Sequence, residues 1–154
     1  MDMNVLHIFP DNDRPKDVFV QANGKTSGAS RHVSLFWVNR DDGRLFIVQV
    51  LQLVGIPGKY HWENAARMRS RRSAGTQEVN DIYALGMFSR VQRDRIISLA
   101  SQVRFESAST VNNCQVWLRD LLEAMMRDPD VALPQSTFDE LDRGISLLKR
   151  RPEA

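Results

Sequence analysis

The sequence predicts an α+β fold in which an antiparallel sheet packs against helices. Three observations carry that prediction. Two runs rich in Val, Ile, Leu and aromatics, Arg31–Val38 and Arg44–Val54, flank Asp42-Gly43, a strong hairpin signal. The second half holds three segments with apolar residues at helical spacing. Strands gather ahead of helices instead of alternating with them, which is an α+β and not an α/β order.

Taken in order, Val5–Phe9 and Val18–Gln21 each suit a short strand, separated by the turn-rich Pro10-Asp11-Asn12-Asp13. Gln21–Ser30 is small and polar, and reads as a loop. The hairpin follows. Gly55-Ile56-Pro57-Gly58 ends its second strand, and Tyr60–Gly75 reads as a polar loop. Glu78–Met87 suits a third core strand. Ser89 caps a helix whose apolar face is Ile96, Ile97, Leu99, Ala100 and Val103. After a connector over 104–111, Asn112 or Asn113 caps a helix running to about Arg127. Its stripe is Cys114, Trp117, Leu118, Leu121, Leu122 and Met125, and Asp128-Pro129 stops it. A last helix follows Ser136, with Phe138, Leu141, Ile145 and Leu148 on one side.

At 154 residues the chain suits a single domain, 1–154, with a core over about 30–127 and a C-terminal helix over about 136–150. A net charge of +2, from 21 basic and 19 acidic residues, provides no global field for nucleic acid. One cysteine excludes an internal disulfide framework, a zinc ribbon and a redox CxxC pair. No apolar run reaches the ~18 residues of a membrane span. Met1-Asp2-Met3-Asn4 lacks the basic start and apolar run of a signal peptide. A cytoplasmic protein is expected, with no cofactor and no metal.

Several motifs fail on inspection. Neither GxSxG nor HExxH occurs. Gly24-Lys25-Thr26 resembles the tail of a phosphate-binding loop, but Phe19 stands where its first glycine belongs. Ser146-Leu147-Leu148-Lys149 matches SxxK without its companion motifs. Arg67, Arg69, Arg71 and Arg72 crowd one segment. They make either a solvated loop or a docking site for an anionic part of a substrate, since guanidinium pairs well with carboxylate or phosphate. Of the three histidines, His7 sits in an apolar run and reads as structural. His61, beside Trp62, suits a pocket wall, and His32 opens a core strand.

Cys114 carries the most information. It shares the apolar stripe of its helix, which suits a small buried hydrophobe. It also lies in the first helical turn, where unsatisfied N–H groups and the helix dipole stabilise a thiolate. The same N–H groups suit an oxyanion formed during acyl transfer. A thiol so placed needs a base, and His32 on a neighbouring strand is the candidate.

Arg31-His32-Val33-Ser34-Leu35-Phe36 and Asn113-Cys114-Gln115-Val116-Trp117, with the hairpin between them, resemble the circularly permuted thiol-enzyme superfamily. That group includes lecithin–retinol acyltransferase-like enzymes, relatives of the NlpC-type peptidases with a papain-like core. Within it the chain looks like small fungal proteins with a His strand, a Gly-x-Pro-Gly segment and an Asn-Cys-Gln-x-Trp helix. The likeness spans about residues 30–127 and rests on short motifs.

The resemblance implies a permuted papain-like core with Cys114 as nucleophile, His32 as base and a polar residue of the next strand orienting the imidazole. A turn centred on Asp42 sets Gln52 across from His32, while a one-residue slip favours Gln49 as a diagonal neighbour. Gln52 is taken. The superfamily commonly has histidine there, and glutamine gives an imidazolium less electrostatic support. Asn113 or Gln115 is placed to point an amide at the oxyanion.

Tyr60, His61 and Trp62 are expected at the pocket mouth with Arg67 and Arg69 beyond, all lining a substrate site. The expected activity is cysteine-dependent acyl transfer or hydrolysis of an ester, thioester or amide, with a small-molecule or acyl substrate as the partner. Two alternatives use the same residues: a non-covalent biosynthetic cyclase or isomerase, and a non-catalytic binding module.

Overall fold

The computed structural model describes residues 3–24, 31–70 and 80–153. Among them are five strands: β1 (Lys16–Ala22), β2 (Val33–Asp41), β3 (Phe46–Val54), β4 (His61–Met68) and β5 (Asp81–Phe88). Three helices follow: α1 (Arg90–Gln102), α2 (Cys114–Arg127) and α3 (Gln135–Ile145). The strands form one sheet in the order β4-β3-β2-β1-β5, every neighbouring pair antiparallel. The fold is α+β.

Side chains alternate across a strand, and the burial follows that alternation. Val18, Val20 and Ala22 of β1, Val33, Leu35 and Trp37 of β2, Leu51 and Leu53 of β3, and Leu85 and Phe88 of β5 enter one core cluster. Ile96, Leu99 and Ala100 of α1, Trp117, Leu118, Leu121, Leu122 and Met125 of α2, and Phe138, Leu141 and Ile145 of α3 complete it. The helices therefore cover a single face of the sheet. On the opposite face Phe19 and Phe36 stack across β1 and β2 with centroids 5.2 Å apart.

The helix starts follow capping chemistry. Ser89 and Gln92 form a reciprocal capping box on α1, and the Asn113 side chain accepts the N–H groups of Gln115 and Val116 on α2. Asp128 closes α2. At the β2–β3 hairpin, the Asp42 carboxylate accepts the Leu45 and Arg44 N–H groups. Those bonds, with Arg40, hold its pKa down to about 2.

The structure corrects several expectations. Val5–Phe9 is a turn and not a strand: the Phe9 N–H returns to the Val5 carbonyl at 2.8 Å. Val5 plugs a small cluster with Ile47 and Ala66, while His7 is exposed and not structural. The segment read as a polar loop over Tyr60–Gly75 contains β4. Ile56-Pro57-Gly58-Lys59 closes a tight turn through Lys59 N–H to the Ile56 carbonyl at 2.8 Å, with Gly58 at φ +94°. Pro at the second position and a positive φ at the third are type II turn chemistry, so this segment launches a second hairpin. The strand read over Glu78–Met87 is the fifth, Asp81–Phe88, and residues 78 and 79 lie outside the described residues.

The core also extends past residues 30–127 at both ends, because β1 lies inside the sheet and α3 joins the main cluster. The last helix runs over 135–145, short of the expected 136–150. Ser146 at φ 59° ends it, and Leu147 in place of Leu148 enters the core. No helix among the described residues is long and apolar enough to cross a membrane.

Candidate active site

The β2–β3 ladder begins at Leu35 and Leu51, although both strands continue beyond those residues. Past that point the first turn of α2 takes up the backbone of Arg31–Val33. The Arg31 carbonyl accepts from Gln115 Nε2 at 3.2 Å and from Cys114 Sγ at 3.8 Å, and the Val33 N–H bonds the sulfur. Arg31 is itself held by the Ala22 and Asn23 carbonyls and by an ion pair with Asp81 at 2.8 Å. Cys114 is thus bound to the end of the sheet as well as to its helix.

His32 is the residue just before β2, and its ring bonds Cys114 on one side. On the other, its Nε2 meets Gln52 Oε1 at 2.6 Å. Gln52 Nε2 then donates to Glu63 Oε1 at 2.6 Å. Arg67 completes the row, donating to both Glu63 oxygens at 3.1 and 3.0 Å. The row runs from α2 across β2 and β3 to β4.

Burial by itself would push the Cys114 thiol up. The hydrogen bond with His32, the Val33 N–H, the imidazolium charge and the Cys114 N–H outweigh it and hold the thiol below its ordinary value. The His32 value is raised, first by its bond to Cys114. Burial opposes this, while the Gln52 bond and the charges of Cys114 and Glu63 add to it. Both shifts favour a thiolate–imidazolium pair.

The other candidate residues divide. Tyr60 is buried, its N–H bonded to the Ser107 carbonyl at 2.7 Å. Burial and then the charge on Cys114 raise its phenol, so the ring lies within electrostatic reach of the sulfur. Trp62, across from Leu53, packs on the main core, and His61 is exposed at the start of β4. The Asn113 side-chain oxygen caps α2, and the Gln115 amide donates to the Arg31 carbonyl, where an oxyanion was expected to receive it.

Arg67 and Arg69 follow along β4 and just past its end. Arg67 pairs with Glu63 inside β4, and Arg69 lies at the far end, its N–H on the Phe46 carbonyl. At about 3.3 Å per residue the strand carries Arg69 roughly 25 Å beyond His61. Arg71 and Arg72 lie outside the described residues. Gln49, the alternative partner for His32, is buried on the helix-covered face and bonded to Asn39 and Asn64 at 2.9 and 2.8 Å. A groove of about 300 Å³ between the end of α1 and the second half of α2 contains none of the candidate residues.

Glu63 is not among the residues the sequence singles out, because the polar segment after Gly58 reads as a loop. The Pro57-Gly58 turn was the available signal: folding the chain back around it sets Glu63 opposite Gln52, the pairing found in the ladder. Comparison with protein-family models, curated proteins and solved structures gave no match.

Proposed function

We propose that this chain is a cysteine-dependent enzyme of acyl transfer or hydrolysis, acting on an ester, thioester or amide, with a permuted papain-like core. The observation that carries the reading is the hydrogen-bonded set Cys114–His32–Gln52, with the thiol in the first turn of α2. A nucleophile bonded to a base, itself oriented by a third polar group, is the arrangement covalent catalysis needs. The resemblance of the His32 strand and the Asn113-Cys114-Gln115 helix start to the permuted thiol enzymes supports the same reading.

In the proposed reaction the thiol proton resides on His32, and the Cys114 thiolate attacks the substrate carbonyl carbon. The new C–S bond moves an electron pair onto the carbonyl oxygen, whose charge the positive end of the α2 dipole stabilises. Collapse of that oxyanion breaks the bond to the leaving group, which takes the proton from the imidazolium. Water, or an acceptor hydroxyl or amine, then attacks the thioester. It gives its proton to His32 and frees Cys114 with the acyl group transferred.

Intact mass measurement tests this. Folded protein incubated with p-nitrophenyl acetate and with short acyl thioesters should gain one acyl group on Cys114, and Cys114→Ala should gain none. A thiol that stays unacylated across these donors in folded protein overturns the reading and leaves a binding module. Turnover retained by Cys114→Ala overturns covalency and leaves acid–base catalysis by His32, as in a cyclase or isomerase.

A further inference from the structure

We propose that Glu63 is a positioning residue of this site, setting the orientation and charge of His32 through the Gln52 side chain. The inference rests on the Cys114–His32 reading above. It starts from an ambiguity in glutamine itself. A primary amide presents an acceptor on one side and two donors on the other, and nothing in a lone Gln52 decides which end faces the ring. With Oε1 toward Nε2 the amide accepts the N–H of an imidazolium. Turned over, it would set two donors against a donor and oppose the charge.

Glu63 removes the choice. An ionised carboxylate only accepts, so it demands the NH2 end of Gln52, and it stands 2.6 Å from Nε2. Gln52 and Glu63 are a directly opposed pair in the β3–β4 ladder. Their neighbours Leu51 and Leu53 point into the helix-covered core, so both polar side chains lie on the opposite face. Arg67, four residues on, donates to both carboxylate oxygens, which holds the Glu63 side chain in place. The Glu63 charge also acts across the intervening amide on the His32 ring. Gln52 and Glu63 together therefore do what a directly bonded carboxylate does for other base histidines: they fix the tautomer and favour the imidazolium.

The test reads the thiol and not substrate turnover, using the full chain. Iodoacetamide alkylation of Cys114 is followed against pH for the unmodified protein, His32→Ala, Glu63→Gln and the exchange variant Q52E/E63Q, with circular dichroism on each. Glu63→Gln keeps the shape and loses the charge. Its alkylation midpoint should rise by about 0.5–1 pH unit, less than a charge in direct contact produces. The exchange places a carboxylate directly on His32 and should return the midpoint to the unmodified value or below. A merely structural Glu63 predicts no such return.

An unmoved midpoint in folded Glu63→Gln overturns the positioning role while leaving the Cys114–His32 pair intact. Should that variant fail to fold, the exchange variant decides: a midpoint raised above that of the unmodified protein overturns the role. A midpoint in the unmodified protein that ignores His32→Ala overturns instead the thiol–imidazole reading on which the role rests.

Discussion

His32 and Gln52 meet on a diagonal and not across a rung of the sheet. The ladder pairs Leu35 with Leu51, and one rung further this register sets Gln52 across from Ser34. Their 2.6 Å contact spans that offset because a diagonal neighbour lies about 7–8 Å away between backbones, within reach of two long side chains. The offset arises at the hairpin, whose turn is centred between Gly43 and Arg44 because Asp41 pairs with Phe46. The bulge at Asn39 takes back one residue and so puts Gln52 on the face of His32. Asn39 is held there by bonds to the Phe9 carbonyl and Gln49.

The first prediction concerns this pair and the thiol. The Cys114 value is lowered and the His32 value raised, and the two shifts together favour the thiolate and the imidazolium. Alkylation of Cys114 should titrate below the ordinary thiol value of about 8.5. His32→Ala should move the midpoint up by about one pH unit or more. Identical profiles for the two proteins would count against the pair.

The second concerns the segment that precedes β1. Arg93 has a fully buried side chain and is bonded by Asp11 at 2.9 Å, the Asn12 carbonyl and the Phe88 carbonyl. Asp11→Ala strands that charge and should cost about 3–5 kcal/mol in chemical denaturation. Burial would raise the Asp11 value, but the bonds from Arg93 and Lys16 hold it below the ordinary carboxylate. A folded value lying below the unfolded one means the contribution is complete above about pH 4 and fades as pH falls through the lowered value. The stability difference between the two proteins should therefore shrink on acidification, and a difference constant down to pH 2 would refute the assignment.

The third concerns Trp117, one turn along α2 from Cys114 and 1% exposed in the main core. Trp117→Ala should cost about 3–5 kcal/mol, a drop in Tm on the order of 10 °C for a chain of this size. The Trp117 indole N–H has no hydrogen-bond partner. Trp117→Phe, which removes that buried donor, should accordingly cost less than half as much. Equal losses for the two variants would contradict this.

The fourth concerns Gly55, which leaves β3 at φ +115°. A Cβ there would collide with the Lys59 carbonyl oxygen. Gly55→Ala should destabilise by about 1–3 kcal/mol through strain, and by moving Lys59 it should displace Tyr60 and alter the Cys114 alkylation rate. A variant with unchanged Tm and thiol reactivity would show that the turn relaxes freely.

The sequence by itself determined the parts that are written in near neighbours. Asp42-Gly43 between two apolar runs specifies the β2–β3 hairpin, and Ser89 and Asn113 specify the starts of α1 and α2. The helical stripe after Asn113 sets Cys114 in a first turn. These features depend on residues a few positions apart, so turn chemistry, capping and periodicity disclose them. Pairing around Asp42 even names Gln52 as a neighbour of His32, although the turn is centred between Gly43 and Arg44, which makes the contact diagonal.

The tertiary structure decided the rest. It inserts β1 between β2 and β5, binds Cys114 and Gln115 to the backbone at Arg31, and carries Arg67 and Arg69 away from Tyr60 along β4. It also sets Glu63 behind Gln52. Each of these joins residues whose proximity depends on which strands pair and in which register. One residue of slip sends every side chain of a strand to the other face. That register is settled by burying Val18, Leu35, Leu51 and Leu85 together beneath the helices, a collective condition that no short stretch of sequence contains.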